Sequence, residues 1–565
     1  MRRMNAWGVA GRFGGMSSRT LLELDLTRGV VEPPPTTPIG MLRARHMPSL
    51  RQLVGGLRKA AEDPKVVGLV AHLGGPSLTL AQTQDLRDAV ARFRAAGKPA
   101  VAWTESYGEV GPGTVPYYLA SAFEEIWLQP SGELGVTGVA VEAVFVRDAL
   151  DKAGVIPQLG KRKEYKTAAD TFTERELTGP AREMASRLAA SSYEQIVDGI
   201  ATARKLSPER VRELIDSAPL SGEEAREAGL VDRLGYRTDV YDALRRRLGE
   251  TAPKLVERYH RRPPVRDLVP QRNKPVVAVV QVSGGIALGR SGGGRPGGGP
   301  GAGSDTIGAA LRAARADDDV RAVLLRVDSP GGSYVASDAI RDEVLRFRGT
   351  RRPVVASMGS VAASGGYFVA MPADLIVAQP GTITGSIGVL AGKGVLRDAF
   401  AKVGIVREGV AEGRNARMFS AQQEFSDEQW QRLEEILDRI YADFVGKAAH
   451  DRGRSDDEIE KVARGRVWTG ADAREHGLVD ELGGLDRAID LACARAGVTR
   501  DDVALRALPH RNVLERLKPP ESTDDLAVSA PAWMPSADGV AASVYAALGL
   551  PPTGVLAMPM TWRLR

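Results

Sequence analysis

Residues 320–332 read VRAVLLRVDSPGG, a run of branched apolar residues closed by an acid, a proline and two glycines. A plainer version stands earlier, VVGLVAHLGG at 66–75. Neither run alternates apolar with polar residues, so each reads as a strand buried on both faces, as in parallel sheets. Outward from these two runs the match continues in the same order. LRDAVARFRAAGKPAVAW (86–103) is answered by IRDEVLRFRGTRRPVVAS (340–357), and VFVRDALDKAGV (144–155) by GVLRDAFAKVGI (394–405). LSGEEAREAGLVDRLG (220–235) is answered by WTGADAREHGLVDELGG (468–484). Four matches in one order, at a period far longer than a solenoid repeat, imply a duplicated domain.

Each half alternates short Val/Ile-rich runs, such as PVVAVVQV (275–282), with stretches of helical periodicity, such as LRQLVGGLRKAAED (50–63) and IGAALRAARADD (307–318). That alternation predicts an α/β fold of stacked units with largely parallel sheets. Residues 174–218 read as helical, and so does their counterpart, roughly 422–464. The expected division is a segment 1–44, a first half 45–249, a charged Pro-containing linker 250–274, a second half 275–508, and an extension 509–565. The second half carries the Gly-rich loop 289–304, which reads as flexible. The extension holds many prolines and one short apolar helix candidate, GVAASVYAALGL.

Lys plus Arg exceeds Asp plus Glu by five (76 − 71), spread over 565 residues, which is no footprint for nucleic acid. The single cysteine, Cys493, excludes an intramolecular disulfide and a Cys-based zinc site, and its apolar helical surroundings read as core. The first residues carry arginines but no apolar run of signal-peptide length, and no eighteen-residue apolar stretch occurs. A soluble protein on the cytoplasmic side, with peripheral membrane contact left open, is the expectation.

Three stretches carry chemistry. In VDSPGGS (327–333) a strand ends at Asp328, and adjacent glycines let backbone N–H groups approach a ligand closely. An ordinary strand-to-helix turn reads the same way. In ASMGSVAASGGYFVA (356–370) a strand ends near Ser357 and a helix starts near Ser364. Ser364 fits a plain N-cap as well as a nucleophile at a helix N-terminus. The small residues around it leave room for a substrate backbone. In GKRKEYKTAADTFT (160–173) cations cluster after a strand. A solvated basic loop is one reading. The other is a lysine base, whose pKa burial and neighbouring cations lower from its usual ~10.4. Lys166, between Tyr165 and Thr167-Ala168-Ala169, has the least polar surroundings of the cations.

Together with TGSIGVL (384–390), these stretches resemble the signal peptide peptidase A family, the S49 serine peptidases, in its long tandem-repeat form. The resemblance runs from roughly 45 to 500. It implies two ClpP/crotonase-like halves, Ser364 as nucleophile, Lys166 as general base and Ser386 orienting the lysine. It also implies oxyanion donors at Gly332 and Gly365. It implies hydrophobic peptide substrates, including signal-peptide remnants, and a homo-oligomer, a tetramer for the long form. No metal or organic cofactor is needed for such a reaction.

The duplication adds a separate argument. At one offset (364 − 114 = 250; 416 − 166 = 250), Ser364 falls opposite Thr114, Lys166 opposite Ala416 and Ser386 opposite Val136. The serine and its DSPGG turn, which pairs with the plainer HLGGP, thus occur in the second half alone, and the lysine in the first alone. The halves must therefore meet, from one chain or two. The chain departs from the long form in lacking an N-terminal anchor, in its Gly-rich loop and in its Pro-rich tail. Three other readings stand beside this one. A Ser-His-Asp triad would use His72 or His476. An acyl-CoA hydratase or isomerase of the crotonase type would need carboxylates, and none adjoins AASGGY. A non-catalytic scaffold is the third.

Overall fold

The computed structural model describes residues 19–32, 47–75, 78–260, 274–291, 301–509, 522–528 and 556–557. In chain order, the first half contains β1 (Thr20–Asp25), α1 (Leu50–Glu62), β2 (Val66–His72), α2 (Leu80–Ala95), β3 (Ala100–Thr104), α3 (Thr114–Ala120), β4 (Glu125–Leu128), β5 (Glu133–Leu134) and β6 (Ile156–Lys161). It continues with α4 (Gly179–Arg204), α5 (Pro208–Asp216), β7 (Leu220–Ser221), β8 (Arg233–Leu234), α6 (Arg237–Leu248) and β9 (Ala252–Leu255). Six strands form a parallel sheet in the order β9-β1-β2-β3-β4-β8, and β5 pairs antiparallel with β7. Both sheet faces are covered, which is why the strands read as unbroken apolar runs. Leu22, Leu24, Leu69 and Ala71 pack under α1 and α2, while Leu21, Val70 and Trp103 pack against α6.

The second half contains β10 (Val276–Ser283), β11 (Ile286–Ala287), β12 (Ala302–Gly303), α7 (Ser304–Ala316), β13 (Val320–Ser329), β14 (Gly331–Gly332), α8 (Tyr334–Arg348), β15 (Val354–Ala363) and α9 (Gly365–Ala370). Then come β16 (Leu375–Ala378), β17 (Ile383–Gly385), β18 (Leu390–Val395), α10 (Asp427–Arg452), α11 (Asp456–Val462), β19 (Val467–Thr469), β20 (Glu481–Leu482), α12 (Leu485–Arg495) and β21 (Ala504–Leu508). The order β21-β10-β13-β15-β16-β20 repeats that of the first sheet. The same bonds hold both frames. Tyr117 donates to the Leu230 carbonyl at 2.8 Å and Tyr367 to that of Leu478 at 3.2 Å. Asp232 accepts the Ile126 N–H and Asp480 that of Ile376. Arg204 pairs with Asp232 and Arg452 with Asp480.

Several expectations need correction. Residues 1–44 contain β1, an inner strand of the first sheet, and the stretch read as linker begins with β9, its edge strand. The C-terminal end of the Gly-rich loop is built into strand pairing, β12 with β11 just before the loop, and only its middle, 292–300, lies outside the described residues. In the extension, α13 (Thr523–Val528) and β22 (Leu556–Ala557) are described, whereas the helix candidate GVAASVYAALGL lies outside. Strand β15 does not stop near Ser357 but runs to Ala363. It bulges opposite Asp328, whose carboxylate accepts the Val361 N–H at 3.0 Å, and then finds a new partner in β17.

The halves are joined by main chain and by charge. β6 pairs antiparallel with β18 along its whole length, and the Arg162 N–H extends the pairing to the Val389 carbonyl at 2.9 Å. Buried Arg326 reaches across to Glu32 at 2.8 Å and Asp85 at 3.4 Å.

Candidate active site

Three segments converge where β15, β17 and the loop after β6 meet. Ser364 caps α9 at φ 55° and ψ −116°, a strained conformation for a residue with a Cβ. It is held there because its N–H donates to the Gly385 carbonyl at 2.8 Å and its carbonyl accepts the Phe368 N–H at 2.9 Å. Ser386 also has positive φ, 52°, and its N–H donates to the Arg466 carbonyl at 2.7 Å. Lys166 follows β6, so the β6–β18 pairing carries it to Ser386. Its Nζ lies 2.9 Å from Ser364 Oγ, 2.9 Å from Ser386 Oγ and 3.1 Å from the Ser386 carbonyl. All three side chains are fully buried. The contact forms within one chain.

Burial lowers the Lys166 pKa well below the ordinary lysine value. Neighbouring cations are not the cause, contrary to the sequence expectation, because each is already neutralised. Lys161 pairs with Asp170, Arg162 with Asp438, and Lys163 with Glu460 at 3.0 Å. Glu164 meanwhile pairs with Arg464 at 2.6 Å. Most of these partners lie on or beside α10 and α11, so the basic loop docks on the second half. Lys166 has no ion-pair partner among the described residues.

The lysine stem threads between two glycines that the sequence reading did not single out. A Cβ on Gly388 would lie 3.2 Å from Lys166 Cδ, and one on Gly465 would lie 2.5 Å from its backbone nitrogen. Gly388 stands in the quoted TGSIGVL stretch, and Gly465 precedes β19 in a turn at φ 83°. Their glycine character was the available signal.

Gly332 and Gly365 come together beside Ser364. A Cβ on Gly365 would stand 3.1 Å from the Gly332 amide nitrogen and 2.8 Å from Ser337 Oγ, and one on Gly332 would meet the Ile286 carbonyl oxygen at 2.1 Å. Gly365 opens α9, so its N–H has no intrahelical acceptor. The Gly332 amide therefore lies close to Gly365, the residue that follows Ser364.

The histidines lie elsewhere. His72 stacks on Trp103 and contacts Glu105 at 2.7 Å, in the first sheet. His476 packs on the Trp468 ring at 4.1 Å, and burial lowers its pKa. Ser364 Oγ meets the lysine instead.

Comparison with protein families matches residues 92–250 and 346–499 to Peptidase family S49. The chain is 32% identical to a chloroplastic serine protease SPPA of Arabidopsis thaliana over 80% of its own length and 66% of that protein's. It is 33% identical to Protease 4 of Salmonella typhi, over 79% of this chain and 72% of the relative. Protease 4 of Haemophilus influenzae is 32% identical over 80% and 74%. Among the described residues, no helix is long and apolar enough to cross a membrane.

Proposed function

Because the chain belongs to peptidase family S49, we propose that it is a serine peptidase working through a Ser364–Lys166 dyad. The observation that carries this reading is the 2.9 Å approach of a fully buried, uncompensated amine to a serine hydroxyl at a strained helix cap. An uncharged amine has two N–H groups and one lone pair. The N–H groups donate to the Ser386 hydroxyl and carbonyl, which leaves the lone pair to accept the Ser364 O–H. Lys166 takes that proton as Ser364 Oγ attacks the scissile carbonyl. The resulting ammonium gives the proton to the leaving amine, and the neutral amine then activates water to release the acyl group. Gly332 and Gly365 N–H groups hold the oxyanion in both steps.

The repeated strand order and the repeated tyrosine and aspartate bonds support two ClpP/crotonase-like halves derived by duplication, the first beginning with β1 rather than near residue 45. Substrates in this reading are hydrophobic peptides, signal-peptide remnants among them. A homo-oligomer fits the exposed apolar residues Val403, Val406, Val410 and Phe419.

The test is a serine-directed fluorophosphonate probe together with casein hydrolysis. The full chain takes the label and cleaves casein. Ser364→Ala does neither, while its circular dichroism stays unchanged. Persistent labelling or hydrolysis in Ser364→Ala overturns the assignment.

A further inference from the structure

The Gly331–Gly332 strand, β14, has two edges. One is taken by β11, with Gly332 opposite Ile286 and the Ser333 N–H donating to the Ile286 carbonyl at 2.8 Å. The other is taken by the chain's own extension: β22 runs antiparallel to β14, with Ala557 opposite Gly331 and Leu556 opposite Gly332. This is the edge beside Ser364, since the Gly332 amide nitrogen lies next to Gly365. An extended peptide that presents its carbonyl to Ser364 and the Gly332 amide has this same edge to pair with. The local sequence suits the place, because TGVLAMPM (553–560) is apolar, small at Ala557 and uncharged. Bare glycine backbone takes such a strand through main-chain bonds, with little demand on sequence.

A second contact ties the same extension to the catalytic half. Helix α13 lies on α7: Arg312 holds Asp524 through two bonds, 2.6 and 3.2 Å, and Thr306 Oγ1 donates to the Ala527 carbonyl at 2.6 Å. Helix α13 is thereby docked on the second half, and tethering through the same chain gives a weakly pairing strand a high effective concentration.

Resting on the dyad reading above, we propose that the Leu556–Ala557 segment is a built-in pseudosubstrate, a tethered strand that competes with peptide substrates for the β14 edge. Its occupancy raises the apparent KM without altering the chemistry at Ser364.

The test uses the full-length chain with Leu556→Pro and Ala557→Pro together, which removes whichever N–H pairs with β14 and leaves α13 in place. The expected result is an apparent KM for a fluorogenic apolar peptide about fivefold lower than the parent's, with kcat unchanged. Asp524→Ala, which loosens α13, shifts KM in the same direction by less. A separate arm needs no catalysis: in a Ser364→Ala background, a fluorescein-labelled TGVLAMPM peptide binds the double-proline chain at least about fivefold more tightly than the chain with its strand intact. Equal KM and equal peptide affinity overturn the proposal while leaving the dyad untouched. If instead no chain hydrolyses peptide and Ser364→Ala changes nothing, the dyad reading falls, and the anisotropy arm still decides whether β22 occupies this edge.

Discussion

Thr114 and Ser364 sit at equivalent turns, each three residues before a tyrosine whose hydroxyl holds the carbonyl of an equivalent leucine. Around them the frames agree in strand order and in the Arg–Asp pair that closes each. At the turn itself they part. Thr114 lies inside α3, preceded by Gly113 at a relaxed φ of −110°, and its hydroxyl accepts the Gly138 N–H at 3.2 Å. Ser364 lies outside α9 at φ 55°, a conformation costing on the order of 1–3 kcal/mol. Two glycines follow Ser364, where Val115 and Pro116 follow Thr114. The frame therefore does not make the proposed catalyst. Local strain, bare backbone beside the serine and an amine delivered from the other half are the differences that do.

The most severe way to break the contrast is to remove that amine. Lys166→Met is expected to lower peptide hydrolysis by about 10²–10⁴-fold, the range for a general base. The same change is expected to stabilise the fold at neutral pH. The folded-state pKa of Lys166 is depressed, so the charged form is disfavoured in the fold. Its penalty is absent above the ordinary lysine value and grows as pH falls from there to the folded pKa. Thermal melting should show the variant more stable than the parent at pH 7, with the gap closing toward pH ~10.5. In the parent, kcat/KM should rise with pH as the amine loses its proton. A variant that melts lower at every pH would mean that the amine is paired in the fold, and the base assignment would lose its physical ground.

A smaller effect tests the bare backbone. Gly365→Ala puts a methyl 3.1 Å from the Gly332 nitrogen and 2.8 Å from Ser337 Oγ, wedging apart the two amides proposed to share the oxyanion. The expected loss is about 10²-fold in kcat, the cost of one oxyanion donor. Val115→Ala, at the equivalent place in the first half, should leave kcat within about twofold, since no chemistry is assigned there. Equal losses in the two variants would show that Gly365 acts through packing alone.

Much of this was legible in the sequence, for a physical reason. Buried parallel strands are apolar on both faces, so VVGLVAHL and VRAVLLRV announce themselves, and duplication lets each half check the other. Ser364 and Lys166 stand out as candidates because small residues surround the serine and the lysine has the least polar surroundings of its cluster, though each also fits an ordinary cap or loop; Ser386 comes from the family resemblance alone. What escaped were elements with no local pattern. β9 reads APKL, two of its four residues exposed, and gains its identity from pairing with β1. The glycines around Lys166 matter through contacts spanning hundreds of residues, Gly388 and Gly465 with Lys166. The basic loop misled in one respect. A run of cations suggests mutual repulsion, but the acids that neutralise most of them lie on α10 and α11, far along the chain.

The smallest expected effect is the sharpest test of what the first half lacks. Thr114→Ser supplies a primary hydroxyl at the position equivalent to the proposed nucleophile, inside a frame held by the same bonds. Hydrolysis should stay within about twofold of the parent, and the fold should lose about 1 kcal/mol for one buried methyl. In a Ser364→Ala background the substitution should restore no fluorophosphonate labelling. The hydroxyl at 114 would sit within the first turn of α3, where the Gly138 N–H engages it, rather than at a strained cap. Val136 stands where Ser386 would be needed, and the fully buried Lys166 is engaged 2.9 Å from Ser364. Labelling at position 114 would show that the frame alone activates a hydroxyl, and that the amine arriving from the other half is dispensable.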